Sequence, residues 1–273
     1  MKVIIICGDH PRNYCFLEYL KQIPEVQILR LFLFKRENIM PNPPSDLDLS
    51  LKKLWNLHFE KRREAENKRF KFELTGNFEE QNIISISNIK ELLKHQDLLK
   101  KINPDICIIS GIPILENKIL SILPKFTINL HLGLIPYYKG AITMFWPFLF
   151  LEPTMAGTTF HIINNKLDTG EILHNNVPKL EKNDGIHDVA SKAVVEASKD
   201  IHLVIKHLDY RIKNKIEPHY DNSLISKGKL FYKSDWKPSM LKIIYETFED
   251  KIVDLYLNKN IFSKKPELKK LNI

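Results

Sequence analysis

The sequence has 273 residues, 44% of them hydrophobic and 27% charged, a globular mix that excludes a disordered chain, a collagen-like chain and a coiled coil. Its 41 Lys and Arg against 33 Asp and Glu leave a net charge of +8, which favours anionic partners: phosphate, nucleotide or nucleic acid. At ~150 residues per domain the length allows one large domain or a domain with a smaller one, and no apolar run reaches the ~18 residues of a membrane helix.

Residues 2–7, KVIIIC, form a continuous apolar run, the pattern of a strand buried on both faces. The run from Val3 to Cys7 is too short for a signal-peptide core and no cleavage site follows it, so the expected address is cytoplasmic. A turn at Gly8-Asp9-His10-Pro11 leads into a helix to about Lys21, with Pro11 suited to its first turn. Residues 26–34 read as a second strand. Pro41, Pro43 and Pro44 mark a loop, and Ser45 or Asp46 is placed to cap a helix over 47–71. There Leu51, Leu54, Trp55, His58, Phe59 and Arg62 repeat at helical spacing, with a lysine- and arginine-rich face opposite.

Further along, 82–86 predicts a short strand, 88–101 a helix, 104–110 and 126–130 two more strands, and 142–150 an apolar helix. After 150 the pattern alternates over 156–163 and 171–179, as in strands, and 185–213 reads as one long helix. Residues 201–273 hold 15 Lys and Arg against 9 Asp and Glu, only a weak pointer to nucleic acid. The apolar 239–257 segment suits a core helix or a homodimer interface. Cys7, Cys15 and Cys107 show no C-x-x-C spacing, so neither a disulfide scaffold nor a metal site is expected.

This order predicts an α/β fold: a Rossmann-like, mostly parallel sheet with helices on both faces, plus a small C-terminal subdomain. We place the main domain at 1–217 and the subdomain at 218–273. Ligands of such sheets lie beyond the carboxyl ends of the strands, here loops 8–13, 110–113 and 131–140.

Phosphate-loop, nucleophile-elbow and HExxH motifs are absent, and the first turn lacks the glycine spacing of a dinucleotide site. The densest constellation is NLHLGLIPYYKG over 129–140, followed by GTTFH over 157–161 and LDTGEI over 167–172. Asn129 and His131 are two apart, so on a strand they share a face. Asp168 sits in a turn that can present its carboxylate. Together they suit attack of an amine on a carbonyl: Asn129 and protonated His131 donate to the developing oxyanion, and Asp168 orients the imidazole and helps take the proton. Each residue alone has a plainer reading, as a strand end, a structural histidine or a turn former. His161, in an apolar strand, reads first as core, and the Phe231/Tyr232/Trp236 cluster as local packing or a stacking platform.

At these motifs the sequence resembles formyltransferases that use N10-formyltetrahydrofolate. The resemblance is clearest over about 100–175. It implies that Asn129, His131 and Asp168 form the catalytic trio. It also implies that the folate pterin is read by the loop carrying Ile163, Asn164, Asn165, Leu167 and Asp168, with apolar walls from Ile112 and Pro113. Methionyl-tRNA formyltransferases carry a longer C-terminal barrel, and glycinamide-ribotide formyltransferases a phosphate loop where this sequence reads GDHPRN. The resemblance is therefore nearest to the branch that formylates nucleotide-linked amino sugars in surface-glycan (lipopolysaccharide, O-antigen) synthesis. The expected substrate contacts are Asp9, His10, Arg12, Tyr138, Lys139, Tyr232 and Trp236. The expected partners are folate and a nucleotide-linked amino sugar, with nucleic acid and membrane disfavoured. The stretch 45–71 has no counterpart in the common form of these branches. Methionyl-tRNA, glycinamide ribotide or a non-catalytic nucleotide-binding role remain as alternatives.

Overall fold

The computed structural model describes residues 1–35, 38–74, 78–219 and 226–271. Seven strands form the central sheet: β1 (Lys2–Gly8), β2 (Gln27–Phe34), β3 (Ile83–Ile86), β4 (Ile106–Ser110), β5 (Phe126–His131), β7 (Thr158–Ile162) and β8 (Ile172–Asn176). Their order is β3-β2-β1-β4-β5-β7-β8. The first five are parallel, and β7 and β8 join antiparallel. The α/β fold with a mostly parallel sheet is as the sequence predicts. Among the described residues, no helix is long and apolar enough to cross a membrane.

Alternation along the strands builds two apolar layers. Val3, Ile5 and Cys7 face α1 (Pro11–Leu20), α6 (Ile186–Lys199) and α7 (Ile201–Lys213), through Phe16, Leu17, Ala197, Ile201 and Val204. Ile4 and Ile6 face the other side, where Leu92, Leu99 and Ile119 pack. On β5, Phe126, Ile128 and Leu130 belong to the first layer. That leaves Thr127, Asn129 and His131 on the opposite face. Burying one such side chain is worth roughly 1.5–3 kcal/mol, so this alternation sets the register.

A third core lies beyond the carboxyl ends of the strands. It joins Leu54 of α2 (Leu49–Arg69), Tyr138 of the short β6 (Tyr138–Gly140), and Trp146 and Phe148 of α5 (Trp146–Leu149) to Leu241, Ile244, Ile252 and Val253. The expected 239–257 segment holds a π-turn over Ile243–Thr247 followed by α8 (Ile252–Leu257); Leu241, Ile244, Tyr245, Ile252 and Val253 are buried in this chain, while Ile243 and Leu257 stay exposed. Further up the chain β9 (Lys229–Phe231) pairs in parallel with β6. The last described residues run along β8, with Asn175 N–H donating to Lys269 O at 2.7 Å and Leu271 N–H to His174 Nδ1 at 3.0 Å. Of the expected subdomain 218–273, residues 220–225 and 272–273 lie outside the described residues.

Four local expectations change. The 47–71 helix begins at Leu49, capped by Asp48, whose carboxylate accepts from Leu51 N–H at 2.7 Å, and not by Ser45 or Asp46. The 88–101 segment opens as a 3₁₀ stretch, Ile89–His95, before α3 (Gln96–Ile102). The 142–150 helix shrinks to one turn because Ile142 and Leu151 both take left-handed backbone, φ 57° and 56°. The 185–213 helix breaks at Asp200. There the carboxylate is drawn to β8 by Asn176 Nδ2 at 2.7 Å and His174 Nε2 at 3.0 Å.

Candidate functional site

The carboxyl end of β5 carries Asn129 and His131 on the face away from the α6/α7 layer. Asp168 reaches them from the β7–β8 connection in left-handed backbone, φ 50°, a conformation Asp tolerates better than most residues. The D-x-G spacing has a steric cause: a Cβ at Gly170 would lie 1.6 Å from Ile162 O.

Asp168 is the centre of the cluster. Its Oδ2 accepts from Gly140 N–H at 2.7 Å. His131 Nδ1 stands 3.5 Å from Oδ2 and His161 Nε2 3.6 Å from Oδ1, both wider than ordinary hydrogen bonds. His131 Nε2 donates to Tyr138 O at 3.2 Å. Tyr138 O therefore holds one ring nitrogen of His131, while Nδ1, beside Asp168 but beyond ordinary hydrogen-bond distance, keeps its N–H available to a ligand.

His161 lies directly opposite Asn129 in the β5–β7 ladder. Burial pushes its imidazole down to about 4, against the pull of Asp168. A neutral ring here donates from Nδ1 to Ile162 O at 3.3 Å, and Nε2 accepts from Asn129 Nδ2 at 3.2 Å. This fixes which way the Asn129 amide points and leaves its second N–H for another acceptor. Sequence reasoning placed His161 in the core first. Its G-x-x-x-H motif was visible, but the β5–β7 register that sets it against Asn129 is a long-range pairing.

Gly133 is set by the site as well. A Cβ there would lie 2.4 Å from His131 Nε2 and 2.6 Å from Thr143 Cβ. Thr143, itself buried, donates its hydroxyl to Leu132 O. The Ile135–Pro136 peptide within this loop is cis.

The other expected contacts fall in different places. Asp9 accepts from the Tyr14 hydroxyl. His10 caps α1, its Nδ1 accepting from Arg12 N–H at 3.1 Å, while its Nε2 meets Glu66 Oε2 at 3.1 Å. Arg12 pairs with Glu66 at 3.1 Å and Arg62 with the same carboxylate at 3.0 Å. Burial alone would raise the Glu66 carboxyl; the His10 hydrogen bond and the two guanidinium charges reverse this and hold it well below the usual range. Thus the 45–71 segment, whose role the sequence did not give, supplies a carboxylate to the loop after β1.

Tyr138 turns its ring into the third core, where its hydroxyl donates to Glu152. Lys139 is buried within charge range of Asp168; burial lowers its ammonium and Asp168 partly restores it. Tyr232 is 58% exposed. Trp236 packs against Trp55, Phe145 and His58, with its indole N–H unpartnered among the described residues.

A cavity of about 550 Å³ is lined by Leu120, Pro124, Lys125, Thr127, Ile163, Asn164, Asn165 and Lys166. Three of the expected folate-loop residues, Ile163, Asn164 and Asn165, are in its wall. Leu167, Asp168, Ile112 and Pro113 are not, although Ile112 packs on the same apolar cluster as Leu120 and Ile163. Thr127 brings the cavity onto the face of β5 that carries Asn129 and His131, an extension toward the strand's start that the motif spacing did not reveal.

Comparison with known proteins bears on the chemistry. A formyl transferase family model matches residues 62–205. The methionyl-tRNA formyltransferase of Thermodesulfovibrio yellowstonii is 31% identical over 150 residues, covering 53% of this chain and 47% of that protein. This chain spans about half the length, or less, of the curated relatives it matches. A 4-N formyltransferase from Francisella tularensis has a similar structure, with a TM-score of 0.52 at 18% identity over 86% of this chain and 78% of that one. A sugar 3N-formyltransferase, WlaRD, solved with dTDP and 5-N-formyl-THF, gives 0.51 at 18% identity over 87% and 72%. At such identities the likeness is one of fold. The family match, in contrast, covers more than half of the chain and encloses Asn129, His131, His161 and Asp168, so the chain belongs to the formyl transferase family.

Proposed function

We propose that the chain transfers a formyl group from N10-formyltetrahydrofolate to the amine of a nucleotide-linked amino sugar in the cytoplasm. The observation that carries this reading is the convergence of Asn129, His131 and Asp168 at the end of β5, on the strand face shared with the 550 Å³ cavity. A pterin needs apolar walls and polar edge partners. Leu120, Pro124 and Ile163 supply the first, and the 163–166 loop the second, so the residues fit the group.

When bound, the folate supplies a formyl carbon on N10. Asn129, through the N–H not used by His161, and His131, through Nδ1–H, donate to the formyl oxygen as negative charge grows on it. Asp168 accepts the proton of the attacking amine through a water. His131, entering the reaction with both N–H groups, gives its Nδ1 proton to the departing nitrogen, and the proton taken by Asp168 passes back to His131 to reset the pair. Asp9, Arg12, Lys139, the exposed Tyr232 and Trp236 are the proposed substrate contacts.

The amino-sugar acceptor is favoured by the likeness in fold to enzymes named as a sugar N-formyltransferase and a sugar 3N-formyltransferase. Methionyl-tRNA is the second reading, because several curated relatives carry that name. One assay separates them: purified protein with N10-formyltetrahydrofolate and a panel of amino-sugar nucleotides, glycinamide ribotide and charged initiator tRNA. Tetrahydrofolate release with an amino-sugar nucleotide gaining one formyl group is the expected result. Transfer to tRNA alone, falling steeply with salt, would overturn the sugar reading.

A further inference from the structure

We infer that Phe231, on the distant strand β9, is a positioning residue for His131 and Asp168; this rests on the formyl-transfer reading of the site. Strand β6 carries a fastening for each of those two residues. Tyr138 O accepts from His131 Nε2 at 3.2 Å, and Gly140 N–H donates to Asp168 Oδ2 at 2.7 Å. Yet β6 is three residues long and its ladder partner is β9. What holds β6 in place therefore holds the reacting pair.

Phe231 does this twice. Its carbonyl accepts from Ala141 N–H at 2.8 Å. Its ring lies nearly parallel to Trp146 at 4.4 Å and to Tyr138 at 6.0 Å, the offset geometry aromatic pairs favour. Trp146 in turn donates its indole N–H to Ala141 O at 2.8 Å, so Ala141 is held at both ends. Two glycines permit the approach. A Cβ at Gly140 would lie 2.1 Å from Phe231 O, and one at Gly228, where φ is +70°, would lie 1.8 Å from Pro136 O. Neither the cavity wall nor Asn129 depends on this contact, so its loss disturbs the geometry of His131 and Asp168 and spares folate binding.

The test uses the full chain with Phe231→Ala, Phe231→Tyr and Gly228→Ala. It reads kcat, the Kd for tetrahydrofolate, and the imidazole ¹⁵N resonances of His131. Phe231→Ala and Gly228→Ala should lower kcat on the order of a hundredfold, as small misplacements of reacting groups do, with the Kd changed by no more than about twofold. The His131 resonances should move in both variants, and Phe231→Tyr should restore native values. Native kcat with native His131 resonances in folded Phe231→Ala overturns the inference. If the native protein transfers no formyl group, the functional reading fails and the resonances alone decide: moved supports the positioning role, unmoved overturns it. Phe231→Leu replaces Phe231→Ala in the same comparison should the smaller side chain prevent folding.

Discussion

Asn129 and His161 face each other across the antiparallel β5–β7 pair, and the Asn129 amide donates to His161 Nε2 at 3.2 Å. The contact requires a neutral imidazole, and burial supplies one by holding His161 down to about 4. His161→Ala should free the Asn129 amide to turn. We expect kcat to fall on the order of tenfold, the effect of a misoriented donor, with tetrahydrofolate binding retained. Unchanged kcat in a folded variant would show that Asn129 is oriented without it.

Gly133 should not accept a side chain. Its Cβ would meet both His131 Nε2 and Thr143. Gly133→Ala is expected to cost about 1–3 kcal/mol of stability, as overpacking does, and to displace the His131 ring. Thermal unfolding and kcat check the two effects separately, and a variant native in both contradicts the packing.

Stability should fall in acid. Burial pushes His58 down to about 3 and His161 to about 4, and holds His187 well below its usual range, where the nearby His58 and Arg62 add to the effect. Each is neutral in the folded chain and takes a proton near pH 6.5 when unfolded. Lowered histidine values mean that the unfolded state binds more protons below pH 6.5, so stability is full above that pH and declines from there toward about 3–4. The urea midpoint should therefore drop between pH 7 and pH 5, and His58→Gln should flatten the slope. A midpoint independent of pH over that interval contradicts the burial of these neutral rings.

The carboxylate that α2 lends to the loop after β1 can be removed without changing its size. Glu66→Gln leaves Arg12 and Arg62 against a neutral partner in a buried setting. Breaking one side of such a buried pair costs roughly 3 kcal/mol. A urea midpoint like that of the native chain would show that the cluster contributes no net stability.

Much of this was legible in the chain because it is local. KVIIIC reads as a buried strand, Pro11 as a helix start, and the i, i+2 placement of Asn129 and His131 as one strand face, all from neighbouring residues. What failed to show depends on distant partners. The break at Asp200 comes from its bonds to His174 and Asn176 on β8. The setting of His161 comes from strand register, and that of Glu66 from a helix packing across the first loop. The support of β6 by residues 229–231 joins segments far apart in sequence, which no periodicity reports. The resemblance named the trio, but it gave no way to foresee that His10 would be held by Glu66 or that Tyr138 would serve through its carbonyl.

The most direct test of the account is turnover of His131→Ala and Asp168→Asn beside the native protein, with N10-formyltetrahydrofolate and the best amine acceptor. Folding would be confirmed by circular dichroism, and tetrahydrofolate binding measured in parallel. The account predicts that each variant stays folded and binds tetrahydrofolate, while kcat drops on the order of a hundredfold to a thousandfold, the loss seen when a transition-state donor (His131) or a positioned proton acceptor (Asp168) is removed. Turnover close to native in either variant would contradict a reaction centred on His131 and Asp168.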